Sequence, residues 1–404
     1  MTKKIAALAI FMGLMAVSPA TAEPGNVEVL PPRGTAYRWT ADQQIVGYRE
    51  RTKIDPVRVV GASRWAHGQR LPVAVHQISP HWTWNGQAMD VNSYMEASRV
   101  SGIVVIKDGQ VLLERYGLGR TEDDYWDGQS TTKSVTAILL GAAIQDGYIK
   151  SMDALVTDHI PELKSSAYGG VTIRQLATMS SGVKFDDDYI NPSGDGFKLW
   201  SEPVINGVNP TVAYTRRLPR ADKPGAKFHY KDIDTDLVGI LVSKAVGKSL
   251  SAYLSEKIWQ PYGMEKDAFW MVDSSGTERG NCCLSTTLRD FARIGQFVLG
   301  GGKAGGVQVL PTDWLAEATS AQVTQPESQR DGRGIGYGYF WWIFNDSHAA
   351  RGHAGQAIYV YPKDKIVIAI NSAWLGANQP NRPDYQPMLN AFVGALHKAA
   401  VAHR

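Results

Sequence analysis

Cysteine is scarce in this chain: there are two in 404 residues, adjacent at Cys282 and Cys283. Neighbouring side chains diverge, so the pair reads as two buried thiols packing as small apolar groups, with a vicinal disulfide as the other reading. A framework of disulfide staples is excluded. Long hydrophobic runs are also missing. Beyond residue 22 nothing approaches the roughly 18 consecutive apolar residues of a membrane helix, so the mature chain is expected to have no membrane span. Charge of one sign is lacking as well. With 42 Lys and Arg against 39 Asp and Glu, two of those lysines in a leader, the chain has no field to attract nucleic acid or an anionic membrane. None of the nine histidines stands in a His-Glu-x-x-His arrangement and no Cys/His ligand spacing occurs, so neither a metal nor another cofactor is expected. Gly247-Lys248-Ser249 lacks the first glycine of a phosphate loop, because Val242 stands there. Gly128-Gln129-Ser130 begins the elbow of the common Ser-His-Asp hydrolases, but Thr132 occupies its closing glycine.

What is present is a composition that folds, with 44% hydrophobic and 20% charged residues. Lys3-Lys4, an apolar run from Ile5 to Val17 and Ala20-Thr21-Ala22 read as a cleaved secretory signal over residues 1–22, which predicts a periplasmic or secreted protein. Residues 23–95, rich in Pro, Gly and Trp, read as an irregular extension packed on the body. Ile103–Ile106 and Val111–Tyr116 flank Asp108-Gly109, a strong hairpin signal. Three further runs, 337–343, 356–361 and 366–370, precede a closing helix over about Pro387–Ala399. The expected fold is therefore α/β (α+β). An antiparallel sheet built from both ends of the chain (96–150 and 271–404) is flanked by helices, with a mainly helical domain (151–270) inserted between.

Two Ser-x-x-Lys spacings occur, at Ser130–Lys133 and Ser181–Lys184. On a helix, residues three apart share a face, so an amine can sit against a hydroxyl and take its proton. Ser181 is followed by Gly182 in a loop, where that face is missing. Ser130 precedes Val135, Ile138, Leu139 and Ala142 at helical spacing, so it opens a helix. It can serve there as an N-cap or as a nucleophile facing the positive helix end.

Five ordered motifs decide between these. They are Ser130-Thr131-Thr132-Lys133-Ser134; Leu176–Gly182; Pro224–Tyr230 with Asp234-Thr235; Leu284–Arg293; and Gly352-His353-Ala354-Gly355-Gln356. In this order they resemble the serine hydrolases of the class C β-lactamase and penicillin-binding-protein group, above all the aminohexanoate-oligomer hydrolases and family VIII carboxylesterases. The resemblance implies Ser130 as nucleophile, Lys133 as its base and Tyr230 as the acid/base that bridges to the leaving group. It also implies oxyanion donors at the N–H groups of Ser130 and Gln356, close substrate approach at Gly355, and a substrate-contacting Tyr189. It implies small-molecule ester or amide substrates cleaved through an acyl-enzyme; a β-lactamase or D,D-peptidase is the alternative, and a non-catalytic binding protein a third reading. Two positions depart from the pattern. His353 stands where β-lactamases carry a lysine that holds a substrate carboxylate. Asp232 stands where Asn or Ser is usual, and a carboxylate there either raises the Lys133 pKa or turns away, for instance towards Lys231.

Overall fold

The computed structural model describes residues 29–403 apart from 35, 64–69, 325–331, 333 and 377–381; the expected secretory signal lies outside the described residues. The main sheet has eight antiparallel strands. From one edge they are Val323–Thr324, Gly336–Tyr337, Trp342–Ile343, His348–Gly352, Gln356–Tyr361, Ile366–Ser372, Val100–Lys107 and Gln110–Tyr116. The early hairpin thus pairs with the last strand of the chain (Val105 opposite Ile368, Val104 opposite Ala369), and the sheet is built from both ends as its alternation predicts.

Side chains alternate across that sheet, and both faces are covered. Val104, Ile106, Ile358 and Val367 face one core, with helices Thr132–Gln145 and Leu288–Leu299. Ile103, Val105, Tyr359 and Ile368 face another, with Phe392 and Leu396 of the closing helix Tyr385–Ala402. Helix Leu288–Leu299 lies so close that a Cβ on Gly295 would stand 2.7 Å from Val367 Cγ1.

The run expected as one strand over 337–343 is two. Phe340 adopts φ 58°, Gly338 N–H bonds Trp341 O, and the chain folds back so that Tyr337 faces Trp342. The N-terminal extension is more regular than expected. It forms helices Ala41–Arg49 and Arg51–Ile54 and a strand, Val57–Val60, whose β-branched residues pair with Ala268–Met271. That strand opens a second sheet, continued by Leu284–Thr286 and Trp126–Asp127, which ends three residues before Ser130. Helix Asp232–Val246, stopped by Gly247 at φ 68°, is buried along most of its length beside helix Thr132–Gln145. Among the described residues no single helix is long and apolar enough to cross a membrane.

Asp290, in the fourth motif, is a structural clamp. Its carboxylate accepts from Glu265 N–H (2.7 Å), Lys266 N–H (3.0 Å) and Thr287 Oγ1 (3.0 Å). Burial pushes its pKa up to about 6; the charge is unfavourable where it sits, yet the donors around it have no other partner among the described residues. Replacing Asp290 by Ala strands those donors and should lower the unfolding free energy by about 2–4 kcal/mol in urea titrations.

Candidate active site

The stretch carrying Ser130 is bent before it is helical. Gln129 has φ 50°, a conformation that non-glycine residues adopt only when their surroundings enforce it. Here Asp127 enforces it, taking Gln129 N–H at 2.8 Å and Gln129 Nε2 at 2.7 Å. A 3-10 turn, Gln129–Thr131, then leads into helix Thr132–Gln145. Ser130 therefore does not cap the helix: the cap position belongs to Thr131, which makes no side-chain cap bond.

Lys133, one turn on, is 1% exposed and makes three contacts. Its Nζ donates to Ser130 Oγ at 2.9 Å and to Asn281 O at 3.0 Å, and lies 2.6 Å from Asp232 Oδ1. An ammonium has three donors, and all three are used. Asp232 thus turns towards Lys133, while Lys231 bonds Val183 O at 3.1 Å and lies 3.6 Å from Asp234. Burial alone would lower the Lys133 pKa, but the Asp232 carboxylate outweighs it, with Tyr230 adding, and the group is held well above the ordinary ammonium value. In the resting site Lys133 is a charged donor.

Tyr230 closes the cluster. Its ring centre lies 5.0 Å from Lys133 Nζ; burial raises its pKa, against the pull of Lys133. Its ring stacks on Trp342 at 5.8 Å. Tyr189 donates to Asp232 Oδ2 at 2.8 Å and stacks on Tyr37 of the N-terminal segment at 5.0 Å. Asp187 accepts from Asp232 N–H at 3.2 Å; burial, then the charge of Asp232, raises its pKa well above the usual carboxylate range.

These groups line a cavity of about 720 Å³ that reaches Ser130, Tyr230, Asp232, Tyr189 and His353. Part of His353 is open to it, while the packed side of its ring, then the charge of Arg382, lowers its pKa and favours the neutral imidazole. Two expected positions fall elsewhere. His353-Ala354-Gly355 is a kinked turn, with Ala354 at φ 57°, between strands His348–Gly352 and Gln356–Tyr361. Gln356 starts the second strand, is 1% exposed, and spends its side chain on Ser372 O (2.7 Å) and Trp126 Nε1 (3.1 Å); it does not line the cavity. Gly355 makes room for Trp374, whose ring would lie 2.4 Å from a Cβ there. The backbone facing the serine is instead Gly352, where a Cβ would stand 3.0 Å from Ser130 N. The rival pair is apart: Ser181 is fully buried and Lys184 is exposed.

Tyr37, Asp187, Asn281 and Trp342 were not anticipated. Asp187 lies in an acidic run that reads as a loop, and the others carry no local signal. Cys282 and Cys283, expected as thiols, form a vicinal disulfide directly after Asn281. The segment is tied to the Ser130 turn by Leu284 N–H to Thr132 Oγ1 at 3.1 Å.

An antiparallel sheet between helical layers, with a serine, a lysine and a tyrosine meeting beside it, defines the β-lactamase and penicillin-binding-protein fold. Residues 90–391 match the model of the beta-lactamase family, and the chain belongs to that family of hydrolases. It is 27% identical over 297 residues, 70% of this chain and 75% of the relative, to the 6-aminohexanoate-dimer hydrolase of Paenarthrobacter ureafaciens. Among solved structures, a Bacillus anthracis protein described as a 6-aminohexanoate-dimer hydrolase superposes with a TM-score of 0.74 at 24% identity, over 89% of this chain and 96% of that one. A family VIII carboxylesterase superposes with a TM-score of 0.59 at 15% identity, over 76% and 95%.

Asp232→Asn removes the charge that holds the proton on Lys133 and leaves burial to dominate, so the Lys133 pKa should fall below the ordinary ammonium value. NMR titration of protein labelled with 15N-lysine reads this directly; an unmoved Nζ titration would contradict the assignment.

Proposed function

We propose that the protein is a serine hydrolase that cleaves small ester or amide bonds through an acyl-enzyme on Ser130. The observation that carries this reading is the Ser130–Lys133–Asp232 chain, 2.9 Å and 2.6 Å long, opening onto a cavity. The family membership supports the reaction class, and the relatives named for amide and ester hydrolysis support the substrate class.

The proton path follows from the contacts. As Ser130 Oγ bonds the substrate carbonyl carbon, its proton passes to Lys133 Nζ, which gives one of its own to Asp232 across their short contact. The carbonyl π pair becomes an oxyanion facing Ser130 N–H and the backbone at Gly352–His353, in the space that the missing side chain of Gly352 leaves open. On collapse the C–O or C–N bond breaks, and the leaving group takes a proton through Tyr230 from Lys133, which recovers its own from Asp232. Water repeats the sequence on the acyl-enzyme, freeing the acid and returning the proton to Ser130.

A neutral His353 gives a β-lactam carboxylate no cation at that position, which argues for esters and amides over β-lactams. The expected leader and the disulfide both fit export to an oxidising compartment, and we infer a periplasmic or secreted site of action.

Ser130→Ala should abolish both p-nitrophenyl butyrate hydrolysis and fluorophosphonate labelling, and wild type should not turn over nitrocefin. Labelling that persists in Ser130→Ala would sink the reading; rapid nitrocefin turnover would replace it with a β-lactamase.

A further inference from the structure

A second cavity, of about 500 Å³, adjoins the first and shares Tyr37, Tyr189 and Asp232 with it. Its wall includes Gln129, next to the nucleophile, and Asn281, whose carbonyl holds Lys133. Much of the wall is apolar or aromatic: Phe197, Trp200 and the Cys282–Cys283 disulfide. Its charges are one-sided, with four arginines against Asp232 alone, and Asp232 is engaged by Lys133 and Tyr189.

Three of the arginines have partners close by. Arg33 reaches Asp55 at 3.2 Å, Arg51 reaches Asp55 at 3.1 Å and Asp127 at 3.4 Å, and Arg38 donates to Ile190 O. Arg279 is different. Its side chain is 8% exposed, its guanidinium lies 4.7 Å from the centre of the Trp200 ring, and its Nε is buried with no hydrogen-bond partner among the described residues. The acid nearest to it among the described residues, Asp236, stays 3.9 Å away, because Asn281 N–H and Nδ2 hold both Asp236 oxygens at 3.0 and 2.9 Å. A buried guanidinium with an unused Nε donor and only a distant acid, laid on an aromatic ring at the wall of a largely apolar cavity, is arranged to receive a planar anion.

We propose that this second cavity is a subsite for a substrate bearing a carboxylate at the end of a short apolar chain, with Arg279 binding the carboxylate and Trp200 flanking it. The inference rests on the hydrolase reading above and adds the substrate class: ω-carboxy acyl esters or amides. The neutral His353 is consistent with this, since the anion is then read at Arg279 and not at the turn after strand His348–Gly352.

Ser130→Ala protein, in which binding is read without turnover, should bind mono-p-nitrophenyl glutarate about tenfold more tightly by calorimetry than the neutral p-nitrophenyl pentanoate, as one charge-assisted pair in a shielded site predicts. Adding Arg279→Met should erase that preference, and adding Arg279→Lys, which keeps the charge but not the fork, should retain part of it. Equal binding of the two esters by Ser130→Ala protein overturns the subsite, as does a preference that survives Arg279→Met. Turnover of p-nitrophenyl pentanoate by wild type judges the hydrolase reading separately, so either can fail without the other.

Discussion

The contact between Lys133 and Asp232 sets the state of everything around it. A lysine that is 1% exposed would shed its proton if burial acted alone, and a free amine could then take the proton of Ser130 unaided. The carboxylate at 2.6 Å reverses that balance, so the site rests as an ion pair and the lysine donates to the serine. Buried pairs of this kind add little net stability, because desolvating two charges offsets their attraction. Their value here is geometric: three acceptors on three elements fix one amine. Asp232 comes from the first turn of helix Asp232–Val246, Asn281 from the segment before strand Leu284–Thr286, and Ser130 from the bent turn.

That bent turn depends on residues far away in sequence. The left-handed backbone at Gln129 costs on the order of 1–3 kcal/mol and is held by the buried Asp127. Asp127 is in turn faced by Arg51 at 3.4 Å, from a helix of the N-terminal segment, and Arg51 lies 5.4 Å from the Trp39 ring. The same segment supplies Tyr37, stacked on Tyr189 at the cavity. Residues that read as a wrapping for the body therefore reach both the back of the Ser130 turn and the front of the cavity that Ser130 lines.

How much of this was legible follows from where the information lies. Ser130, Lys133 and Tyr230 carry spacing and motif, and the hairpin around Asp108-Gly109 and the run Ile366–Ile370 carry period and β-branching, so the sheet and the core of the site could be read. Strand His348–Gly352 could not, because His-Ala-Ala-Arg-Gly has no β-branched residue and gains its place by pairing with Gln356–Val360. The turn at His353–Gly355 lies between two strands and was hidden for a related reason: it is made by left-handed backbone at Ala354 (φ 57°) and Gly355 (φ 90°), which no local pattern announces. Asp232 was visible as an anomaly, but its direction was not, since Lys231 and Lys133 were both available partners and only the helix start decides between them. Tyr37 and Arg279 have no motif; what they do comes from packing.

The ion pair also explains why an aspartate can work where a neutral residue is usual. Asp232 accepts from Lys133 and Tyr189, and its backbone N–H is held by Asp187, so its carboxylate is stabilised by two donors but shielded from water. Moving a proton from Lys133 to Asp232 replaces two buried charges by two neutral groups, a change that a drier cavity favours because desolvation penalises only the charged form. In the reaction proposed for this site, a substrate that fills the cavity expels water and so favours passing the Lys133 proton on, which frees the amine to take the serine proton. On that proposal the base is weakest in the empty site and strongest when a carbonyl is in place, which ties proton transfer to occupancy.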